Sequence, residues 1–100
     1  MYDMKHLTKL AKYDELAPDA WNAFKALDVA ALKEGAVSIK NKELIAIAVA
    51  HTTQCPYCIE IHVKNARKAG ASDEEIAETI FVAAALRAGA AVVHGTHCFE

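Results

Sequence analysis

Two of the chain's three cysteines and two of its five histidines fall within one stretch of twelve residues, HTTQCPYCIEIH, from His51 to His62. A Cys-x-x-Cys pair can hold zinc, shuttle electrons as a dithiol, or do neither, and each use requires different partners elsewhere in the chain. Pro56 opens a helix here, because its ring sets φ for a first turn and its missing N–H would have no helical partner anyway. Cys55 is then the N-cap. At 3.6 residues per turn, Cys58 and His62, four residues apart, share a face, so the imidazole can reach the thiol. Both sulfurs lie at the helix N-terminus, where unpaired N–H groups and the dipole favour thiolate, and both are candidates for activation.

A carboxylate completes the set. The segment NKELIAIAVAH, capped by Ser38, is apolar on every side after Glu43, as expected of a helix buried all round. It should stop near Thr52, since Pro56 pushes Cys55 out of the helical region. If the helices flanking TTQ form an antiparallel hairpin, Glu43, about ten residues before the turn, comes opposite His62, about nine after it. The resulting chain runs Glu43, His62, Cys58. Glu43 orients or protonates the imidazole, and His62, or a water held between them, takes the thiol proton.

The remaining elements also read as helices. Strand signals are nearly absent, with four Gly, two Pro and no long alternation of apolar and polar residues, so the expected fold class is all-α. A short helix is expected over Lys5–Lys12, from Leu7 and Leu10. Pro18 starts another, in which Trp21, Phe24, Leu27 and Leu32 form a core-facing stripe and Gly35 serves as C-terminal cap. The Cys-x-x-Cys helix continues through His62 to Ala69 and is closed by Gly70. Ser72 and Glu75 form a capping box for a last helix whose apolar part runs from Ile76 to His94 and is rich in small residues. Those small residues suit close packing of helices within the chain and between subunits.

Composition narrows the class of protein. One hundred residues without a linker, repeat or charge run predict a single domain spanning residues 1–100. Hydrophobic residues make up 54% of the chain, more than a domain of this size can bury alone, which predicts a homo-oligomer. The net charge is −2, with eleven Lys and Arg scattered among thirteen Asp and Glu, so no basic stripe suits nucleic acid. The start, MYDMKHLTKL, lacks a signal-peptide core, and an apolar run such as Leu44–Ala50, which no other exceeds, is too short for a bilayer. These features predict a cytoplasmic protein without membrane contact. In a reducing compartment a Cys-x-x-Cys pair is more often catalytic or metal-binding than structural.

The pattern Glu43, eleven residues, Cys55, two residues, Cys58, three residues, His62 resembles the signature of the alkylhydroperoxidase AhpD family, within the carboxymuconolactone decarboxylase-like superfamily. The resemblance extends from AFKALDVAALKEGAVSIKNKELIAIAVAHTTQCPYC to AAALRAGAAVVHGTH and so covers most of the chain. It implies an all-α fold, assembly as trimers or hexamers, and thiol-dependent reduction of hydroperoxides without a metal or organic cofactor. By position it makes Cys58 the attacking thiol, Cys55 the resolving thiol, and Glu43 and His62 the proton relay, with an external dithiol or lipoyl-bearing protein as reductant. Tyr57 stands where some members carry a histidine, so a relay step through that imidazole is missing. The decarboxylase branch lacks the cysteine pair, which places this chain outside it.

Other readings compete for the same residues. Cys55, Cys58, His94 and His97 could make a Cys2His2 zinc set, with Cys98 in reserve. The pair could also serve a non-catalytic oligomeric redox sensor. His51 reads as a helix-end residue bonded to backbone, His94 and His97 as complements to a helix dipole, Arg87 as the partner of an acid at a subunit contact, and Trp21 and Phe24 as core residues. Cys98 reads as incidental, and His6 belongs to no motif.

Overall fold

The computed structural model of the protein describes residues 3–100. Met1 and Tyr2, which open both the stretch read for a leader and the expected domain, lie outside the described residues. All regular structure among the described residues is helical. A 3-10 helix, Met4–Lys12, runs into a single turn, α1 (Tyr13–Leu16), followed by α2 (Pro18–Leu32), α3 (Ile39–Thr53), α4 (Pro56–Lys68), α5 (Asp73–His94) and a closing 3-10 turn, Gly95–Cys98.

The long helices begin and end much as local chemistry requires. Ser38 Oγ accepts the Asn41 N–H at 3.1 Å and caps α3. Cys55 has extended backbone, Pro56 is the first residue of α4, and Gln54 in the left-handed region (φ 56°) reverses the chain between α3 and α4. Gly70 adopts φ +94° after α4, its N–H bonding to the Arg67 carbonyl while that of Ala71 bonds to Ala66. This 6→1 and 5→2 pair closes the helix as a Schellman motif, with buried Ala66 and Ala71 in the accompanying apolar contact. The Ser72 and Glu75 capping box opens α5. Glu75 also pairs with Lys40 at 2.9 Å, tying the first turn of α3 to that of α5, and this lysine holds the Glu75 carboxyl below its ordinary value.

The expected short first helix is present as a 3-10 helix, and the N-terminal segment breaks from α2 at Ala17, which Pro18 pushes out of the helical region (φ −152°, ψ 65°). Two expectations about these elements are corrected. Gly35 does not cap α2: that helix stops at Leu32, Lys33 is extended, and the Lys33 carbonyl is met by the Lys42 ammonium at 2.8 Å. Helix α3 is not buried all round. Its Glu43, Ile47 and Ala50 face inward at spacings of four and three, whereas Ile45 and Val49 are exposed, because within one chain only α4 and α5 pack extensively on it.

The core is therefore small: Ile47, Ala66, Ala71 and Ile76, with Leu44, Val63 and Ile80 packed against it. Along α2 the expected core stripe is open, Phe24 being 55% exposed, since little besides the N-terminal segment packs over that face. Accessible surface totals 7598 Å², against about 5,500 Å² for a compact monomer of this mass. The radius of gyration is 16.7 Å, where a compact chain of this length would have about 13 Å. Helix α5 contributes much of the excess, with Phe81, Val82, Leu86, Val92 and Val93 exposed.

Helix α5 also corrects the reading of apolar runs. By length and composition the stretch Asp73–Cys98 could cross a bilayer, with a mean hydropathy of 1.8 over an 18-residue window. Its alanines raise hydropathy without making one uninterrupted run, so counting such runs missed it. Two of its residues, Ile76 and Ala83, are buried in the chain's own core.

Ile47 is fully buried between these helices. Replacing it with Ala should cost about 3 kcal/mol, the sum of lost transfer energy and an unfilled cavity. Urea unfolding of wild type and Ile47→Ala measures this; equal midpoints would show that α3 is not the centre of the core.

Candidate functional site

The inward face of α3 carries a carboxylate where its register calls for a hydrocarbon. Glu43 lies one turn before Ile47 on the buried stripe and is only 5% exposed. A carboxyl in such a place needs a strong partner. It has one across the hairpin, where His62 Nδ1 lies 2.6 Å from Glu43 Oε2. The His62 side chain is 18% exposed, so the pair is largely shielded from water. With Nδ1–H donating to the carboxylate, Nε2 carries the ring's lone pair and is the nitrogen left to accept a proton. Glu43 thus sets the orientation and tautomer of His62. The two-residue turn, Gln54 and Cys55, makes this possible, because it fixes which residues of α3 and α4 lie at the same height.

Cys55 and Cys58 are free thiols, both partly buried. The Cys55 sulfur caps α4 directly, accepting the Cys58 N–H at 3.2 Å. Cys58 and His62, one turn apart on α4, line one open cavity of about 770 Å³. No hydrogen bond joins Cys58 to His62 among the described residues. The expectation that both sulfurs are activated is corrected for Cys58. Burial in the first place, and then the hydrogen bond and charge of the neighbouring Cys55 sulfur, push the Cys58 thiol up to about 11. The Cys58 N–H, which donates to the outer sulfur, also lowers the inner one, but burial and the neighbouring sulfur outweigh it.

The other walls of this cavity come from α2 and the N-terminal 3-10 helix. Trp21 and Phe24, expected in the core, line it instead, beside Leu7 and Leu10. Sequence reasoning assigned the α2 stripe to a core because its helical spacing is the same for either use, and which element covers a face is not written in that spacing. Tyr57, next to Cys58, also lines the cavity.

The remaining candidates lie apart from it. His51 Nδ1 donates to the Ile47 carbonyl at 2.8 Å, the backbone bond expected of it. Arg87 is exposed beside His51 and makes no ion pair among the described residues. His94 and His97 stack edge to face, with ring centroids 5.0 Å apart, at the far end of α5, where Cys98 is exposed. Among the described residues no three His, Cys, Asp or Glu side chains gather as metal ligands. The Cys55, Cys58, His94 and His97 zinc set is therefore not assembled within one chain.

The comparisons with known proteins agree with this architecture. The carboxymuconolactone decarboxylase family model matches residues 16–100, and the chain belongs to that family. It is 56% identical over 73 residues to uncharacterized protein 4 in the cox locus of Paracoccus denitrificans, covering 73% of this chain and 66% of that protein. An uncharacterized protein of Haemophilus influenzae is 43% identical over 49 residues, or 49% of this chain and 43% of that one. The chain thus spans less than two thirds of the length of these curated relatives. Among solved structures, apo-lpg0406 of Legionella pneumophila, a carboxymuconolactone decarboxylase family protein, superposes with a TM-score of 0.74 at 41% identity, covering 80% of this chain and 71% of that one. A Methanobacterium thermoautotrophicum protein superposes with a TM-score of 0.80 at 32% identity, covering 86% and 97%. These matches establish the all-α family fold.

The site generates a pH dependence. A thiol that titrates near 11 is ionised in only about one molecule in ten thousand at pH 7. Alkylation of Cys58 by iodoacetamide, located by mass spectrometry, should therefore rise with pH through 9 and level only near 11. A plateau reached by pH 8 would mean that the Cys58 sulfur is anionic at neutrality.

Proposed function

We propose that the chain is a thiol-dependent peroxidase of the alkylhydroperoxidase type, in which Cys58 attacks, Cys55 resolves, and Glu43 and His62 relay the proton. The observation that carries this reading is the buried 2.6 Å contact between Glu43 and His62, one turn beyond Cys58. A carboxylate spent on orienting an imidazole costs folding energy, and the chemistry it serves is proton acceptance at Nε2. Because the Cys58 thiol holds its proton tightly, the proton must leave as the sulfur attacks, with His62 or an intervening water receiving it. Resting thiolate is not required.

The cycle balances in three steps. Cys58 attacks the distal oxygen of R–OOH, breaking the O–O bond to give R–OH and a Cys58 sulfenic acid. Cys55 displaces water from that sulfenic acid and forms a Cys55–Cys58 disulfide. An external dithiol, of lipoyl or similar type, reduces the disulfide and leaves oxidised. No metal or organic cofactor takes part, and we place the cycle in the cytoplasm.

We further propose that the working unit is a homo-trimer or homo-hexamer of one domain. The excess surface of the single chain, roughly 2,000 Å², is of the size that obligate interfaces bury. We assign the apolar face of α5 to that contact rather than to a bilayer, since Arg87 interrupts it near its middle and its first half serves the core. Light scattering should give a mass of three or six chains; a monomer at micromolar concentration would remove this part of the proposal.

One observation favours a second reading. A Cys58 thiol near 11 is also what an unactivated thiol in a non-catalytic oligomeric protein would have. Turnover separates the two. With an organic hydroperoxide and a dithiol, wild type should turn over and Cys58→Ser should consume none; with hydroperoxide added to reduced protein alone, Cys55→Ser should complete one round. Replacing His62 with Gln should slow consumption by about 10²- to 10⁴-fold, the usual range for a lost general base. Equal consumption by wild type and Cys58→Ser would end the peroxidase reading.

A further inference from the structure

The N-terminal 3-10 helix has no part in the core, for none of its residues is buried. It also lies ahead of residues 16–100, the part of the chain that the family shares. Yet Leu7 and Leu10 reach the cavity that holds Cys58 and His62, while Lys5, Lys9 and Lys12 are exposed. The segment is held in place from its C-terminal side. The Tyr13 ring lies 5.3 Å from that of Trp21, Trp21 stacks on Phe24 at 5.8 Å, and Lys25 pairs with Asp14 at 3.7 Å with its ammonium over the Trp21 ring. A second, apolar recess of about 400 Å³ shares Leu10, Trp21 and Phe24 with the thiol cavity and is lined by neither Cys58 nor His62.

We infer that this N-terminal helix, ahead of the residues that the family model matches, is a substrate-selecting wall, with Leu7 and Leu10 holding the organic group of the hydroperoxide against Trp21 and Phe24. The inference rests on the proposed reaction of Cys58. The wall is apolar, so it selects for bulky hydrocarbon groups, aromatic or branched, and is indifferent to hydrogen peroxide, which has no apolar surface to bury. Leu7 and Leu10 are specificity residues; neither takes part in the proton relay.

The test compares Leu7→Gln/Leu10→Gln with Leu7→Met/Leu10→Met, both at positions outside the core. In turnover, the Gln pair should raise KM for cumene hydroperoxide by about tenfold and leave that for hydrogen peroxide within about twofold, while the Met pair behaves as wild type. A second readout needs no turnover. Reduced protein is offered N-phenylmaleimide and N-ethylmaleimide together, and the adducts on Cys58 are measured by mass spectrometry. The phenyl-to-ethyl ratio should fall about threefold in the Gln pair, since less apolar surface is covered when the ring binds. Unchanged ratio and unchanged KM overturn the wall, as does an equal change for both peroxides. If wild type reduces neither peroxide, the peroxidase reading fails, and the maleimide ratio still decides whether the wall selects.

Discussion

A carboxylate that cannot reach water organises this molecule. Glu43 occupies a position on α3 that packing would give to a hydrocarbon, and it is tolerated because His62 meets it across the hairpin at 2.6 Å. Breaking such a pair by removing one member leaves an unpartnered polar group, which is far more costly than never having built it. Much of the local structure serves to bring the two together: a left-handed Gln54, an N-capping cysteine and a proline at the first helical position make a turn of only two residues. The same turn that sets the height of His62 also delivers the two sulfurs.

The chemistry follows from where the backbone donors go. A helix N-terminus can stabilise one anion well, and here the outer sulfur takes the available amide, the Cys58 N–H. At the inner sulfur, burial and the adjacent thiol outweigh the Cys58 N–H and hold the proton. A base oriented by a buried carboxylate is the arrangement suited to a thiol of that kind, since it lets the proton depart during attack instead of beforehand. In the proposed reaction, the relay and the high titration point of Cys58 are two aspects of one design.

Architecture and surface tell a consistent story about scale. A hundred residues that leave Phe24, Phe81, Leu86 and Val92 in water do not make a finished globule. The small-residue helix α5 and the open side of α2 have different surroundings: α5 contributes no residue to the lining of the thiol cavity, whereas α2 forms its wall. Packing between copies and access to the sulfur can therefore proceed on different surfaces without competing.

The order of helices, the caps at Ser38, Cys55 and Ser72, the stop at Gly70 and the opposition of Glu43 to His62 were legible in the residues themselves. They depend on short-range chemistry: a side chain reaching its own backbone, a ring that sets φ, and a rise of about 1.5 Å per residue counted from a turn. What lay beyond it was everything that depends on which face meets which. The stripe of Trp21 and Phe24 has the spacing of a core helix, and only the absence of a covering element turns it into a cavity wall. The exposure of Ile45 on an apolar helix and the proton held by Cys58 likewise arise from burial, which depends on neighbours distant in the chain and has no local signature.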